Sequence, residues 1–383
     1  MALMKYKLTT LTPLLVGDGR ALSPVDYMVW KDQVNILDQT RIFKLLARGP
    51  RLEGYLTQLR KATKLDFASW GGFAQNFSQR RIPFEDAGIT AIWNSAPSES
   101  LFIPTFAASP QGAYIPASAI KGALRTGLIF SRWSAATLDK LAASREGDRL
   151  PRRASEAAEA NVGASQMRIF APADTEAIPA NAFKVFTVRV SSLDTRQAGK
   201  PQLVWKVAGR GSVPPQRVSE STPFFTEMAV PGISVHGEWQ ERTFLENQEF
   251  SRILGWRSVP QLGQFIEAAN QYAGAQLEMH TRYAETTGLG GLAATVQRLQ
   301  QELDSARNGT LSCLLSIGWG SSFLSKSGFL QTDQESYRSL LRALPGIGRS
   351  LREGVVFPKT RRVVFKSGQP SSIPGWVRLE LQT

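Results

Sequence analysis

The sequence predicts an α+β protein of two domains. A chain of 383 residues is long enough for two hydrophobic cores of ordinary size, and 42% hydrophobic residues can fill them. Short runs of alternating apolar residues are interleaved with stretches whose apolar residues recur three and four apart, so strands and helices are mixed along the whole length. Residues 209–222, rich in Gly, Pro and Ser, interrupt that pattern as a linker. The expected division is 1–208, a linker at 209–222, and 223–383.

In chain order, residues 5–16 alternate loosely and read as a first strand running into Gly17-Asp18-Gly19-Arg20. Glycine allows positive φ and close backbone approach, so this loop fits a plain turn and equally a phosphate contact through Arg20. Residues 24–30 and 33–37 read as strands paired about Lys31-Asp32, and Asp38 as the N-cap of a helix through Leu46. Residues 51–64 are helical and basic, whereas 66–108 show no clear period.

The stretch 114–128 is the most sharply patterned. An apolar strand end is closed by Pro116, Ser118 can cap a helix starting at Ala119, and Ile120, Ala123, Leu124, Gly127 and Leu128 form one stripe. Lys121 and Arg125 stand one turn apart on its border. Unpaired N–H groups at a helix start, together with two cations, make a seat for phosphate. An ordinary amphipathic helix with solvated cations fits the same residues.

Residues 144–165 read as helix or loop, and 166–170 and 183–190 as strands, the second turning Lys184, Thr187 or Arg189 away from the core. Residues 203–207 pair with that strand, and 226–239 form a strand pair turning at Pro231-Gly232. Helices are expected over 259–283 and 292–306, the second ending before the turn at Asn308-Gly309. A buried strand, 310–317, then enters Gly318-Trp319-Gly320-Ser321-Ser322-Phe323-Leu324-Ser325-Lys326. Glycines there let backbone amides approach a phosphate, Trp319 or Phe323 offers a ring to a base, and Lys326 adds charge. A glycine turn with packed aromatics is the alternative. The loop lacks the Gly-Lys-Ser/Thr ending of a P-loop, so nucleotide hydrolysis is not implied. A short helix over 335–344 and strands at 355–357, 363–365 and 377–381 close the chain.

A net charge of +13 and a pI near 10.0 favour a polyanionic partner, nucleic acid first. The charge is segregated: residues 182–217 hold seven basic residues against Asp194 alone, 349–366 hold six against Glu353 alone, and 218–285 hold nine glutamates against four arginines. The basic stretches are expected to line one surface. Cys313 is the only cysteine, which excludes an intrachain disulfide and a Cys-based zinc site. His236 and His280 lie far apart. No cofactor and no metal site are expected, no apolar run approaches a membrane span, and the expected location is the cytoplasm.

Several segments carry a resemblance. Ile115-Pro116-Ala117-Ser118-Ala119-Ile120-Lys121-Gly122-Ala123-Leu124-Arg125 is similar to the "IPGSSLKGxxR" signature of the RAMP superfamily of CRISPR systems, with Ala117 and Ala119 where the pattern has glycine and serine. The Gly318 loop resembles that superfamily's glycine-rich loop. The opening Leu-Thr-Pro-Leu-Leu-Val-Gly-Asp-Gly, the segment Pro24-Val25-Asp26-Tyr27-Met28-Val29 and the tail Pro358-Lys359-Thr360-Arg361-Arg362 resemble one branch, the fifth subunit of the Csm-type (type III-A) effector complex.

The resemblance implies two ferredoxin-like domains with insertions and a non-catalytic subunit holding the 3′ part of a CRISPR RNA. Implied partners are CRISPR RNA, target RNA, the repeated backbone RAMP subunit and other Csm-type subunits, and cellular nucleases that mature the guide. The residues expected at RNA are Arg20, Ser118, Lys121, Arg125, Gly318, Trp319, Gly320, Ser321, Ser322, Phe323, Lys326, Lys359, Arg361 and Arg362. The alternatives are another type III RAMP subunit, or a metal-dependent endoribonuclease using Asp26, because the target-cutting backbone subunit carries its aspartate in a similar segment.

Overall fold

The computed structural model describes residues 3–61, 64–65, 76–144, 162–194, 200–209, 211–256, 258–259, 261–309, 311–331, 334–348, 351–352 and 354–382. Most of the stretch read as helix or loop at 144–165, and part of 66–108, lies outside them.

The chain opens with β1 (Met4–Thr10), then a small sheet of β2 (Tyr27–Val29), β3 (Gln33–Leu37) and β4 (Ser78–Pro83), with helices α1 (Gln39–Leu46) and α2 (Leu52–Lys61). The β2–β3 turn sits at Lys31 and Asp32, both at positive φ, as a two-residue hairpin turn requires. Asp38 caps α1 by accepting from the Arg41 N–H at 2.8 Å. Helix α3 (Ala117–Arg132) precedes β5 (Phe170–Thr175), β6 (Phe183–Asp194), β7 (Gln202–Val207), β8 (Gly211–Val213), β9 (Phe224–Ala229) and β10 (Ser234–Glu241). Two long helices, α4 (Leu262–Thr287) and α5 (Gly290–Asn308), lead to β11 (Ser312–Ser316), and β12 (Thr360–Lys366), β13 (Gln369–Ser372) and β14 (Trp376–Leu381) close the fold.

Two main sheets result. The first has the order β11-β14-β1-β10-β5, all neighbours antiparallel. Taken in sequence, β1-α3-β5-β10-α4-β14 is the strand, helix, strand, strand, helix, strand succession of a ferredoxin-like unit, strung along nearly the whole chain. The second sheet has the order β8-β7-β6-β12-β13 with β9 also on β6, and is built largely from hairpins. The mixed α+β class holds. The expected division at 209–222 does not separate these sheets, because each draws strands from both sides of it, and the second sheet does not repeat the ferredoxin-like order.

Local sequence also misleads at Pro231-Gly232. Both flanking strands form, but β9 pairs with β6 in the second sheet while β10 pairs with β1 and β5 in the first. The turn therefore carries the chain between sheets. Two other differences have tertiary causes. Residues 166–168 form a 3-10 turn and the strand starts only at Phe170. Thr187 and Arg189, expected outside, are 2% and 4% exposed, because β6 is central and covered on both faces. Residues 355–357 form no strand.

Tyr6, Leu8, Val377 and Leu379 supply the buried face of the first sheet to α3 and α4, while Lys5, Lys7 and Glu380 alternate outward. The two helices cross closely at Gly127, where a Cβ would stand 2.8 Å from Ala269 Cα. Any side chain there would force α3 off α4, so this glycine sets the position of the motif helix.

Candidate nucleic-acid interface

Helix α3 begins two residues earlier than its sequence indicates. Pro116 occupies the cap position without a side-chain cap bond, and the first-turn N–H of Ala117 is taken by the Asp174 carboxylate of β5 at 2.7 Å. Ser118 is therefore not the cap. It lies inside the first turn with its side chain exposed. The helix start expected to receive a phosphate already holds an anion supplied by the protein.

The glycine-rich loop follows β11, which is tied to α4 through buried Asn270: its Nδ2 donates to the Ser312 carbonyl and its Oδ1 accepts from the Leu314 N–H. Beyond β11, Ile317 N–H donates to the Gly375 carbonyl at 2.8 Å and Trp319 N–H to that of Leu15 at 2.7 Å. Gly318 (φ +78°) presses on Leu15, where any Cβ would collide with the carbonyl oxygen. The loop is thus pinned on the segment that leads into Gly17-Asp18-Gly19-Arg20.

Between this loop, residues 15–21 and one flank of α3 runs a groove of about 690 Å³. It is lined by Arg20 and Lys326, by the hydroxyl residues Ser118, Thr126, Thr105, Ser316, Ser321 and Ser325, and by glycine backbone; among the described residues none that lines it is acidic. Arg20 has a side chain 81% exposed and an ion pair with Asp18 at 3.3 Å. So exposed a pair contributes little, and a phosphate can replace the carboxylate. Trp319 borders the groove with the Arg362 guanidinium 4.7 Å above its ring. Burial lowers the Arg362 pKa from the usual arginine value.

Of the residues expected at RNA, Arg20, Ser118, Gly318, Trp319, Ser321 and Lys326 meet in this groove, and Arg362 stands behind Trp319. The others go elsewhere. Lys121 leaves the groove for the far flank of α3, donating from Nζ to the Phe170 carbonyl at 2.8 Å; burial, then Arg242 and Arg168, lower its pKa. Arg125 stands on the ridge between the flanks. Gly320 backs onto Pro374, and Ser322, at φ +58°, turns the chain into the 3-10 segment that follows. Phe323 packs edge-on against Phe357 at 5.4 Å, so its ring is in a core cluster and not available to a base. Lys359 gives its carbonyl to Leu193 just ahead of β12 and does not line the groove.

Arg361 is corrected outright. At 2% exposure it is sealed inside, with Nε donating to His280 Nδ1 at 3.2 Å, Nη1 to the carbonyls of Pro358 and Thr360, and its guanidinium 4.5 Å from the centre of the Tyr283 ring. Burial brings its pKa down to about 10 and pushes that of His280 well below the usual histidine value. Sequence reading missed Thr105, Thr126, Ser316 and Ser325. Thr126 was findable: Ser118, Gly122 and Thr126 recur at one-turn spacing, a polar stripe parallel to the apolar one.

The Asp26 carboxylate fastens a turn, accepting from the Ser23 N–H and hydroxyl at 2.7 Å each. It does not line the groove, and among the described residues no three His, Cys, Asp or Glu side chains gather as a metal site. No helix among those residues is long and apolar enough to cross a membrane.

Residues 7–193, just under half of the chain, match the model of the RAMP superfamily. Among curated proteins no sequence matches. The fold is similar to a chain in the cryo-EM structure of a Csm–crRNA–target RNA ternary complex of a type III-A CRISPR-Cas system, with a TM-score of 0.65 and 18% identity over 98% of this chain and 100% of that one. It is also similar to the crystal structure of T. onnurineus Csm5, with a TM-score of 0.59 and 16% identity over 97% and 99%.

Proposed function

We propose that this RAMP-superfamily chain is an RNA-binding, non-catalytic backbone subunit of a type III-A (Csm) effector complex in the cytoplasm, seated at the 3′ end of the CRISPR RNA. In that reading it faces target RNA paired to the guide, abuts the repeated backbone RAMP subunit and other Csm-type subunits, and supports 3′-end maturation by cellular nucleases. One observation carries it: the signature helix and the glycine-rich loop, almost two hundred residues apart, form the walls of a single groove lined, among the described residues, by two cations and no acidic residue. Such a surface suits a sugar-phosphate chain. Hydroxyls and glycine N–H groups meet phosphate oxygens, Arg20 and Lys326 supply charge, and contacts of this kind carry no sequence information, as a variable guide demands. Trp319, held flat by Arg362, offers a ring to one base.

Purification from cells that express the whole system tests the proposal. The tagged chain should bring down sister subunits and a short RNA of defined size, and should not cleave RNA with Mg²⁺. A chain that purifies alone without RNA, or that shows Mg²⁺-dependent cleavage lost on Asp26→Ala, would overturn it in favour of the endoribonuclease.

A further inference from the structure

The groove accounts for one flank of α3, and the other flank holds a cluster that its chemistry leaves unused. From Thr126 in the groove to Lys121 the helix surface turns by roughly 140°, at ~100° per residue. There, Lys121 Nζ donates to the Phe170 carbonyl at 2.8 Å, and the Arg242 N–H donates to the adjacent Ile169 carbonyl at 2.9 Å. Arg168 directly precedes Ile169, its Nη1 reaching the Gly163 carbonyl at 2.5 Å. The Lys121 ammonium and the main chain of Arg168 and Arg242 therefore meet at one short piece of backbone. Arg242 is exposed, Lys121 and Arg168 half-buried.

Their proximity is electrostatically unfavourable as it stands. Both guanidinium charges, after burial, disfavour the Lys121 ammonium. Among the described residues no carboxylate pairs with any of the three; Glu241, close to Arg242 in sequence, has its pKa raised by burial and then by the neighbouring Glu246. Like charges gathered without a counterion repel, and one anion shared among them reverses the sign of the interaction. Ser118 and Gly122 form the groove's margin and Arg125 the ridge beyond it, and among the described residues nothing lies within 4 Å of where a Gly122 Cβ would stand.

Building on RNA in the groove, we infer that Lys121, Arg168 and Arg242 form a second phosphate seat, and that a single RNA strand leaves the groove past Gly122 at its margin, crosses α3, and sets a following phosphate on this cluster. The signature helix is then straddled by the strand. Lys121 of its sequence motif serves the far flank, while its small and hydroxyl residues serve the near one.

Binding of a labelled single-stranded RNA to the full chain, titrated across salt, tests this. Arg168→Ala with Arg242→Ala should weaken binding about 5- to 10-fold near 0.1 M salt and make the log–log salt slope shallower by about 1, since each phosphate neutralised on a single strand contributes ~0.7. Gly122→Trp, which leaves every charge in place but narrows the margin of the groove as well as the crossing, should weaken binding as well. Matching thermal melts establish that the variants are folded. If the Arg168→Ala, Arg242→Ala variant binds like the parent while Lys326→Glu is weakened, RNA occupies the groove without reaching the far flank, and the second seat is overturned. If Lys326→Glu also binds like the parent, the groove reading falls with it.

Discussion

Arg361 and Arg362 are adjacent in sequence and opposite in fate. Both lie on β12, whose side chains alternate, so one residue's shift moves a guanidinium from one face of the sheet to the other. Arg361 goes inside, against His280 and Tyr283, with no carboxylate among its hydrogen-bond partners and its Nη2 unsatisfied. Arg362 turns toward Trp319 at the edge of the groove. A basic run thus divides into a fastener of the interior and a support for the binding surface, and a count of charges along the sequence cannot tell the two apart.

The contrast can be broken at its buried end first. Arg361→Ala leaves the His280 nitrogen and two carbonyls without their donor and opens a cavity, so unfolding free energy should fall by about 3–5 kcal/mol in a denaturant titration. A loss below 1 kcal/mol would mean that Arg361 is not the fastener described. The pH dependence comes next. Because His280 stays neutral in the folded state and takes a proton near 6.5 when unfolded, the unfolded chain binds more protons below that pH. Stability should therefore drop as pH falls through 6.5, with a slope approaching about 1.4 kcal/mol per pH unit, and His280→Gln should remove that component.

At the exposed end the effects move from stability to binding. Gly318→Ala drives a Cβ into the Leu15 carbonyl at positive φ, so the loop must leave its seat. RNA affinity should drop about tenfold or more, while the melt, which reports the core, shifts by only a few degrees. The smallest change is expected for Arg362→Ala: affinity about 2- to 5-fold lower, from the lost support of Trp319, and stability altered by under about 1 kcal/mol. An Arg362→Ala protein that unfolds as readily as Arg361→Ala would erase the distinction.

How much was legible in the sequence follows from the range of the interactions involved. Local signals read true: the Asp38 cap, the Lys31-Asp32 turn, the long helices, and the glycine loop after a buried strand are each set by neighbours within a few residues. The groove was half legible, because its two walls could be named separately. Which flank of α3 faces the loop could not, since Asp174 and the Gly127–Ala269 contact fix the helix start and its position from strands and helices far away in sequence. The same limit explains why 209–222 read as a boundary. Strand pairing across sheets is not a property of a linker's composition.

Site-specific cross-linking tests the central claim most directly. A CRISPR RNA carrying photoreactive 4-thiouridine along its 3′ half is irradiated in the assembled complex, and the adducts on this chain are mapped by mass spectrometry. The account predicts adducts concentrated at Trp319 and in the segments 17–21, 118–126 and 316–326. Adducts confined to the outward face of the first sheet, around Lys5, Lys7 and His236, with none in those segments, would contradict it.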